Sequence, residues 1–209
     1  DVVPVRRRLA QRMDTAVGPV AWALDDTGLL KDGRSSPCVA RQYTGTAGKV
    51  TNCQIAVSVS LVTDTASCPV NWRLFLPEAW DPASPKATGD VVQRRRKAAI
   101  PDEVGHRAKW RLALDMLDEL AGWGLRPPLV VADAGYGENG EFRQGLAARG
   151  IDYVVQVAHT VTVHAADVQR TTVPYSGNGP YPKAIYRQPA VSIKDLALAA
   201  GRRGVRQVT

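Results

Sequence analysis

Two aspartates, Asp25 and Asp133, each close a short apolar run and open a glycine-containing turn. Ala21-Trp22-Ala23-Leu24 leads into D-D-T-G at 25–28, and Pro128-Leu129-Val130-Val131-Ala132 leads into D-A-G-Y-G at 133–137. Apolar runs of this length, bounded by turns, read as buried strands. A carboxylate at the carboxyl end of such a strand stands at the rim of a sheet, where α/β proteins place ligands. Two such ends on neighbouring strands would set two acids side by side, and a divalent cation is the usual means of keeping both charged. Asp26 complicates the first site. Alternate strand residues face opposite ways, so only one of Asp25 and Asp26 can face a shared cation.

The elements that must position this pair follow from periodicity. Residues 5–15 read as the tail of a helix that Gly18-Pro19 ends. The first strand is expected over 20–25, followed by a Gly- and Ser-rich loop at 27–37. Gly45 and Gly48 mark a turn. Over 50–62, Ile55, Val57, Val59 and Leu61 alternate with Ala56, Ser58 and Ser60, the pattern of a half-buried strand. Residues 69–77 form a third strand, paired with the second as a hairpin. The stretch 80–90 is Pro-rich and shows no core pattern, and the arginine run at 94–97 falls in a loop-like region. Apolar positions 110, 113/114, 117 and 120/121 have helical spacing over 107–121, with Gly122, Gly124 and Pro127-Pro128 as stops. Residues 129–132 are the fourth strand, 140–149 a helix capped by Asn139 and stopped by Gly150, and 151–157 the fifth strand. Beyond about residue 160 the pattern weakens. Ser192 with Asp195 resembles a capping box for a short helix through Ala200, and the last nine residues read as the start of a strand.

The order β-β-β-α-β-α-β predicts an α/β fold whose sheet mixes antiparallel and parallel strands. An RNase H-like sheet has this order, with strands one and four adjacent at its centre. Residues at their carboxyl ends then meet, and two metal ions about 3.5–4 Å apart can bridge the attacking and leaving oxygens of a phosphodiester.

Composition narrows the partners. The chain has 209 residues, a mass of 22.5 kDa, a net charge of +7 and a pI of about 9.6. That balance favours an anionic partner, nucleic acid above all, although a basic soluble surface would look the same. No apolar run is long enough for a membrane span. Cys38, Cys53 and Cys68 are odd in number and lack C-x-x-C spacing, which indicates ordinary thiols rather than a zinc site or a disulfide framework. The chain lacks an initiator Met and a signal peptide's apolar segment; both ends look cut, as expected of a piece of a longer protein.

Four blocks in order carry a resemblance: A-W-A-L-D-D-T-G-L-L-K-D-G, V-A-R-Q-Y-T-G-T-A-G-K-V-T-N-C-Q-I-A-V-S, P-V-N-W-R-L-F-L-P-E-A-W and V-V-A-D-A-G-Y-G-E-N-G-E-F. Together they resemble the catalytic domain of bacterial insertion-sequence transposases of the DDE type, across about residues 20–160. The resemblance implies an enzyme that binds the terminal inverted repeats of its element, uses Mg²⁺ (Mn²⁺ substituting) to nick the ends, and joins them to target DNA. It implies a homodimer on DNA, a cytoplasmic, nucleoid-associated location and no membrane. By motif, the first two family acids map onto Asp25 and Asp133 as catalytic and metal-binding residues, with Asp26 as runner-up to Asp25. The third acid, a Glu, is expected on a helix after an insertion that follows the fifth strand. No Glu follows residue 157, so the expectation is missing sequence or a degenerate copy with little activity of its own. A non-catalytic DNA-binding remnant is the alternative. Residues 1–19 are then the tail of a helical region, 20–160 the core and 161–209 the truncated start of the insertion.

Candidate DNA contacts are Lys31 and Lys49, which could approach phosphate; Arg41 and Gln42, near the rim; Tyr136, which could stack on a splayed base; and Arg94, Arg95 and Arg96, which could track a backbone. For each the plain alternative is a solvated or packed side chain.

Overall fold

The computed structural model describes residues 2–165 and 167–204, and it divides into two compact units, residues 1–156 and 157–209. The first unit opens with α1 (Val3–Val17), which Gly18 ends in the left-handed conformation at φ 57°, its N–H donating to Asp14 O. Then come β1 (Ala21–Leu30), β2 (Ala40–Thr44), β3 (Lys49–Val62) and β4 (Ser67–Leu74). A 3-10 turn, Glu78–Trp80, and the helices α2 (Val91–Lys97) and α3 (Lys109–Gly122) follow. β5 (Val130–Ala132), α4 (Ala134–Gly137), α5 (Gly140–Ala148) and β6 (Tyr153–Val155) complete the unit.

The sheet runs β2-β3-β1-β5-β6, with β4 also on β3. β1 lies antiparallel to β3 from Ala21↔Val62 to Leu30↔Cys53, and β5 and β6 lie parallel to β1 and to each other. β2 and β4 share one edge of β3: β2 pairs with residues 49–53 and β4 with residues 56–62. This is the RNase H-like mixed α/β sheet that the element order predicts, with the first strand and the strand ending at Ala132 adjacent.

Period-2 and period-3.6 patterns meet in one core. Trp22 and Leu24 of β1, Val57, Val59 and Leu61 of β3 and Val130 of β5 pack with Ala113, Met116, Leu117 and Leu120 of α3 and with Phe142 and Leu146 of α5. Full burial of each large apolar side chain contributes about 1.5–3 kcal/mol before entropic costs. Ala10 of α1 joins the same core, with Met13 and Val17 beside it. Gly145 lets α5 approach α3, since an added Cβ would stand 2.4 Å from Leu114 Cδ1.

Several elements differ from the sequence expectation. The first strand continues through 27–30, where a loop was expected, because the long β3 offers it ladder partners down to Cys53. Gly28 allows this: a Cβ there would fall 1.6 Å from Thr44 Oγ1, and Thr46 Oγ1 donates to Gly28 O at 3.0 Å. Arg41, Gln42 and Tyr43 lie in a strand, β2. The arginine run 94–97 is helical, not loop-like; Asp90 Oδ1 caps α2 by accepting from Gln93 N at 2.9 Å. The Pro-rich stretch is anchored by Trp80, fully buried in a second small core with Cys38, Val39 and Leu76. Its indole Nε1 donates to Val39 O at 2.7 Å. Burial pushes the Cys38 thiol up to about 11, against the opposing charge of Arg95.

The second unit holds a two-stranded antiparallel sheet, β7 (Thr162–Val163) with β8 (Val191–Ser192), and the helix α6 (Ile193–Gly204). Ser192 caps that helix: its Oγ accepts from Asp195 N at 3.0 Å and donates to Asp195 Oδ2 at 2.7 Å. Gly201 breaks the helical path at φ 63°. The strand expected at the end of the chain thus meets helix through Gly204, and its remainder lies outside the described residues. Among the described residues, no helix is long and apolar enough to cross a membrane.

Candidate active site

The β1–β5 ladder pairs Trp22↔Val130, Ala23↔Val131 and Leu24↔Ala132, and then stops. Asp25 and Asp133 are the next residue on each strand. Asp133 keeps an extended backbone, φ −74° and ψ −177°, before the chain turns into α4. Trp22, Leu24 and Val130 point into the core, and Ala132 packs against it. Alternation therefore puts Asp25 and Asp133 together on the opposite face, and Asp26 on the core face. Both Asp25 and Asp133 are exposed. Asp25 Oδ1 accepts from Asp26 N at 2.7 Å. Asp133 gives no side-chain cap to α4, and its Oδ1 stands 3.1 Å from where a Cβ on Gly135 would be. Among the described residues, neither carboxylate has an ion-pair partner.

Asp26 is occupied instead. Its Oδ1 accepts the phenolic hydrogen of Tyr136, and its Oδ2 pairs with Lys109 Nζ, at the first residue of α3. Tyr136 is 3% exposed and packs against Phe142 at 5.6 Å between ring centroids. Burial, then the charge of Asp26 and its hydrogen bond, then the charges of Asp133 and Asp25 raise the phenol far above its ordinary range. Tyr136 thus stays a donor. This burial leaves no ring face of Tyr136 for a nucleobase and fits the packed alternative rather than base stacking.

The other candidates separate by exposure. Arg95 is 3% exposed and donates Nη1 to Trp80 O at 3.0 Å and Nη2 to Pro101 O and Val104 O, both at 2.7 Å. Those bonds make it an internal strut rather than a backbone-tracking cation. Arg94 is partly buried over the Trp80 ring, 4.0 Å from its centroid, and donates to Ala79 O. Arg96, Arg41 and Lys49 are exposed, and Lys31 and Gln42 half-buried. Gln42 Nε2 donates to Cys53 O at 3.1 Å.

Sequence reasoning missed a second carboxylate cluster, at Glu119 of α3. Arg6 of α1 reaches Glu119 with both terminal nitrogens, at 3.2 and 3.1 Å. Asn71 Nδ2 donates to it at 2.8 Å, and Arg73 Nη2 donates to it as well. Burial pushes the Glu119 carboxyl up, but hydrogen bonds from Asn71, Arg6 and Arg73 outweigh it and leave the group below its ordinary range. Glu119 falls at an intermediate position between Leu117 and Leu120, so only its partners on distant elements mark it.

Could the rim hold a metal? Among the described residues, no three His, Cys, Asp or Glu side chains come together in a way that could hold one. Two exposed, unpaired carboxylates nevertheless suit Mg²⁺, which keeps several waters and is commonly bound by one or two carboxylates plus substrate phosphate.

A family model described as DDE superfamily endonuclease matches residues 1–209. A probable transposase for insertion sequence element IS701 from Microchaete diplosiphon is 29% identical over 140 residues, 66% of this chain. The chain spans about a third of that relative's length, 32%. No solved structure matches the chain.

Proposed function

The chain belongs to the DDE superfamily endonuclease family, and from that premise we propose that it is part of the catalytic domain of an insertion-sequence transposase that cleaves and rejoins DNA at the element's ends. The observation that carries the proposal is the parallel β1–β5 ladder, whose last pair, Leu24↔Ala132, is followed on both strands by an exposed aspartate with no ion-pair partner among the described residues.

In this reading Asp25 and Asp133 hold Mg²⁺, with Mn²⁺ as substitute; their hard oxygen donors match such ions. A bound divalent cation stabilises the charge that develops on the attacking and leaving oxygens of a phosphodiester. The chain's own residues supply position. β1 and β5 bring the two carboxylates to neighbouring strand ends, and Gly135 leaves space beside Asp133 that a side chain would fill. Two like charges disfavour an approaching phosphate, and a cation held by the pair would offset that repulsion. The net charge of +7 draws the duplex, with Lys31, Arg41, Gln42, Lys49, Arg94 and Arg96 as the contact candidates. The DNA partner, the dimer on two DNA ends, and residues 161–209 as the start of an insertion belong to the same proposal.

With two of the three family acids, this chain alone carries little strand transfer. Robust Mg²⁺-dependent cleavage of cognate ends by the 209-residue chain would contradict that. The second reading, a DNA-binding remnant without chemistry, draws on the absence of any Glu after residue 157. Calorimetry with Mn²⁺ separates the two: heat in the unaltered chain that vanishes in Asp25→Asn and Asp133→Asn supports the catalytic reading, and equal heats in all three remove it.

A further inference from the structure

The β1–β5 ladder ends one residue short of both acids, so its hydrogen bonds do not hold the aspartates in register. Asp133 also stands before α4, a single helical turn of four residues. A turn of that length has no stability of its own in water. Something else must tie the Asp133 turn to the Asp25 strand.

We propose that Lys109, Asp26 and Tyr136 form a positioning device for the Asp25–Asp133 pair, in which Asp26 acts through its two partners and is not itself a metal ligand. The inference rests on the proposed metal-binding role of Asp25 and Asp133.

Tyr136 lies three residues after Asp133, and its hydroxyl donates to Asp26, the neighbour of Asp25. That bond joins the β5–α4 turn to β1 just beyond the last ladder pair. Burial of the ring at 3% exposure, against Phe142, fixes it from the core side. Backbone bonds brace the turn from below: Gly137 N donates to Asp133 O at 2.8 Å, and Gln156 N to Ala132 O at 3.0 Å. Gly137 itself sits so close to β6 that a Cβ would stand 2.0 Å from Gln156 O.

Lys109 decides the role of Asp26. Its ammonium takes the second carboxylate oxygen, so both oxygens of Asp26 are engaged and its charge is matched. The same ammonium lies 5.4 Å from the Phe75 ring centroid, which holds it in place. Asp25 and Asp133 keep unmatched charge on the other face. Adjacent acids on one strand thus divide the work, one toward solvent and one toward the frame. Groups bonded directly to a metal ligand typically change metal affinity by about 10–100-fold, and Tyr136 and Lys109 act one step further out, through Asp26, so the low end of that range is expected.

The test is Mn²⁺ binding to the 209-residue chain, followed by the electron paramagnetic resonance signal of free Mn²⁺, with thermal melting measured on the same samples. Tyr136→Phe and Lys109→Met should each weaken binding about tenfold while remaining folded. Asp26→Asn should weaken it to a similar degree, while Asp25→Asn and Asp133→Asn should remove it. Loss of binding in Asp26→Asn as complete as in Asp25→Asn would make Asp26 a ligand and overturn the inference. So would unchanged affinity in folded Tyr136→Phe and Lys109→Met, which would leave the device a purely structural one. Should Tyr136→Phe fail to fold, Lys109→Met decides, because that side chain is 33% exposed and not part of the core. If the unaltered chain binds no Mn²⁺, or if Asp25→Asn and Asp133→Asn bind as it does, the proposed function falls and takes this inference with it. Binding lost only in those two variants overturns the inference alone.

Discussion

Glu119 and the Asp25–Asp133 pair are both carboxylate sites on residues 1–156, yet their surroundings are opposite. Glu119 meets two guanidiniums and an amide drawn from α1 and β4, and its charge is more than matched. The aspartates stand exposed on adjacent strand ends, with no ion-pair partner among the described residues. A matched acid serves the fold, because removing it strands its partners. An unmatched pair of like charges contributes little to folding, and in the proposed reading its role is to hold a cation.

The contrast predicts opposite phenotypes. In a longer protein carrying this domain, Asp133→Asn should lower DNA-end cleavage by more than about a hundredfold, beyond the effect of a residue that only supports a ligand. In the present chain the same change should shift stability by no more than about 0.5 kcal/mol in urea unfolding. A large loss of stability would erase the distinction. Glu119→Gln should do the reverse: about 1–3 kcal/mol of stability lost as Arg6 and Arg73 lose their counter-charge, with Mn²⁺ binding unchanged.

Acid sharpens the comparison further. The Glu119 carboxyl is lowered in the folded chain. Its stabilisation is therefore full above its ordinary value of 4.5 and drains away as pH falls below it. Urea midpoints taken between pH 6 and 3 should fall more steeply for the unaltered chain than for Glu119→Gln; parallel curves would remove Glu119 as the cause. The smallest effect concerns the arginine run. Exposed Arg96→Ala should reduce the salt dependence of DNA binding by about one unit of slope. Buried Arg95→Ala should instead lower the melting temperature, since Trp80 O, Pro101 O and Val104 O each lose the hydrogen bond that Arg95 donates.

The sheet was largely legible in the sequence because its strongest signals are periodic. The alternation through Ile55–Leu61, the helical spacing from Trp110 to Leu120 and the glycine and proline stops around them marked β3, α3 and β5. The two acids were legible because each stands where an apolar run gives way to glycine. What escaped has no period. Trp80 is an isolated aromatic among prolines, and its core comes from Cys38 and Val39, some forty residues earlier. Arg95 is held by carbonyls, which no side-chain pattern announces. Asp90 ahead of V-V-Q-R-R-R-K was a signal for α2 that went unused. For Tyr136 both base stacking and packing within the turn stayed open, because sequence does not say which way a turn residue points. Lys109 and Asp26 are 83 residues apart, and only the fold brings them together.

The outer margins of the sheet bear on how copies of the chain can gather. β3 spans 14 residues, but its flank is divided between β2, with five residues, and β4, with eight. β4 contains Pro69, which has no amide hydrogen, and its pairing with β3 shifts register between Val59 and Ser60 of β3. The far margin is β6, with three residues. Short, interrupted margins of this kind give a neighbouring molecule little to zip onto, which is how many proteins avoid runaway aggregation. Association of copies of the chain would then have to be mediated by side chains, leaving each sheet a closed unit.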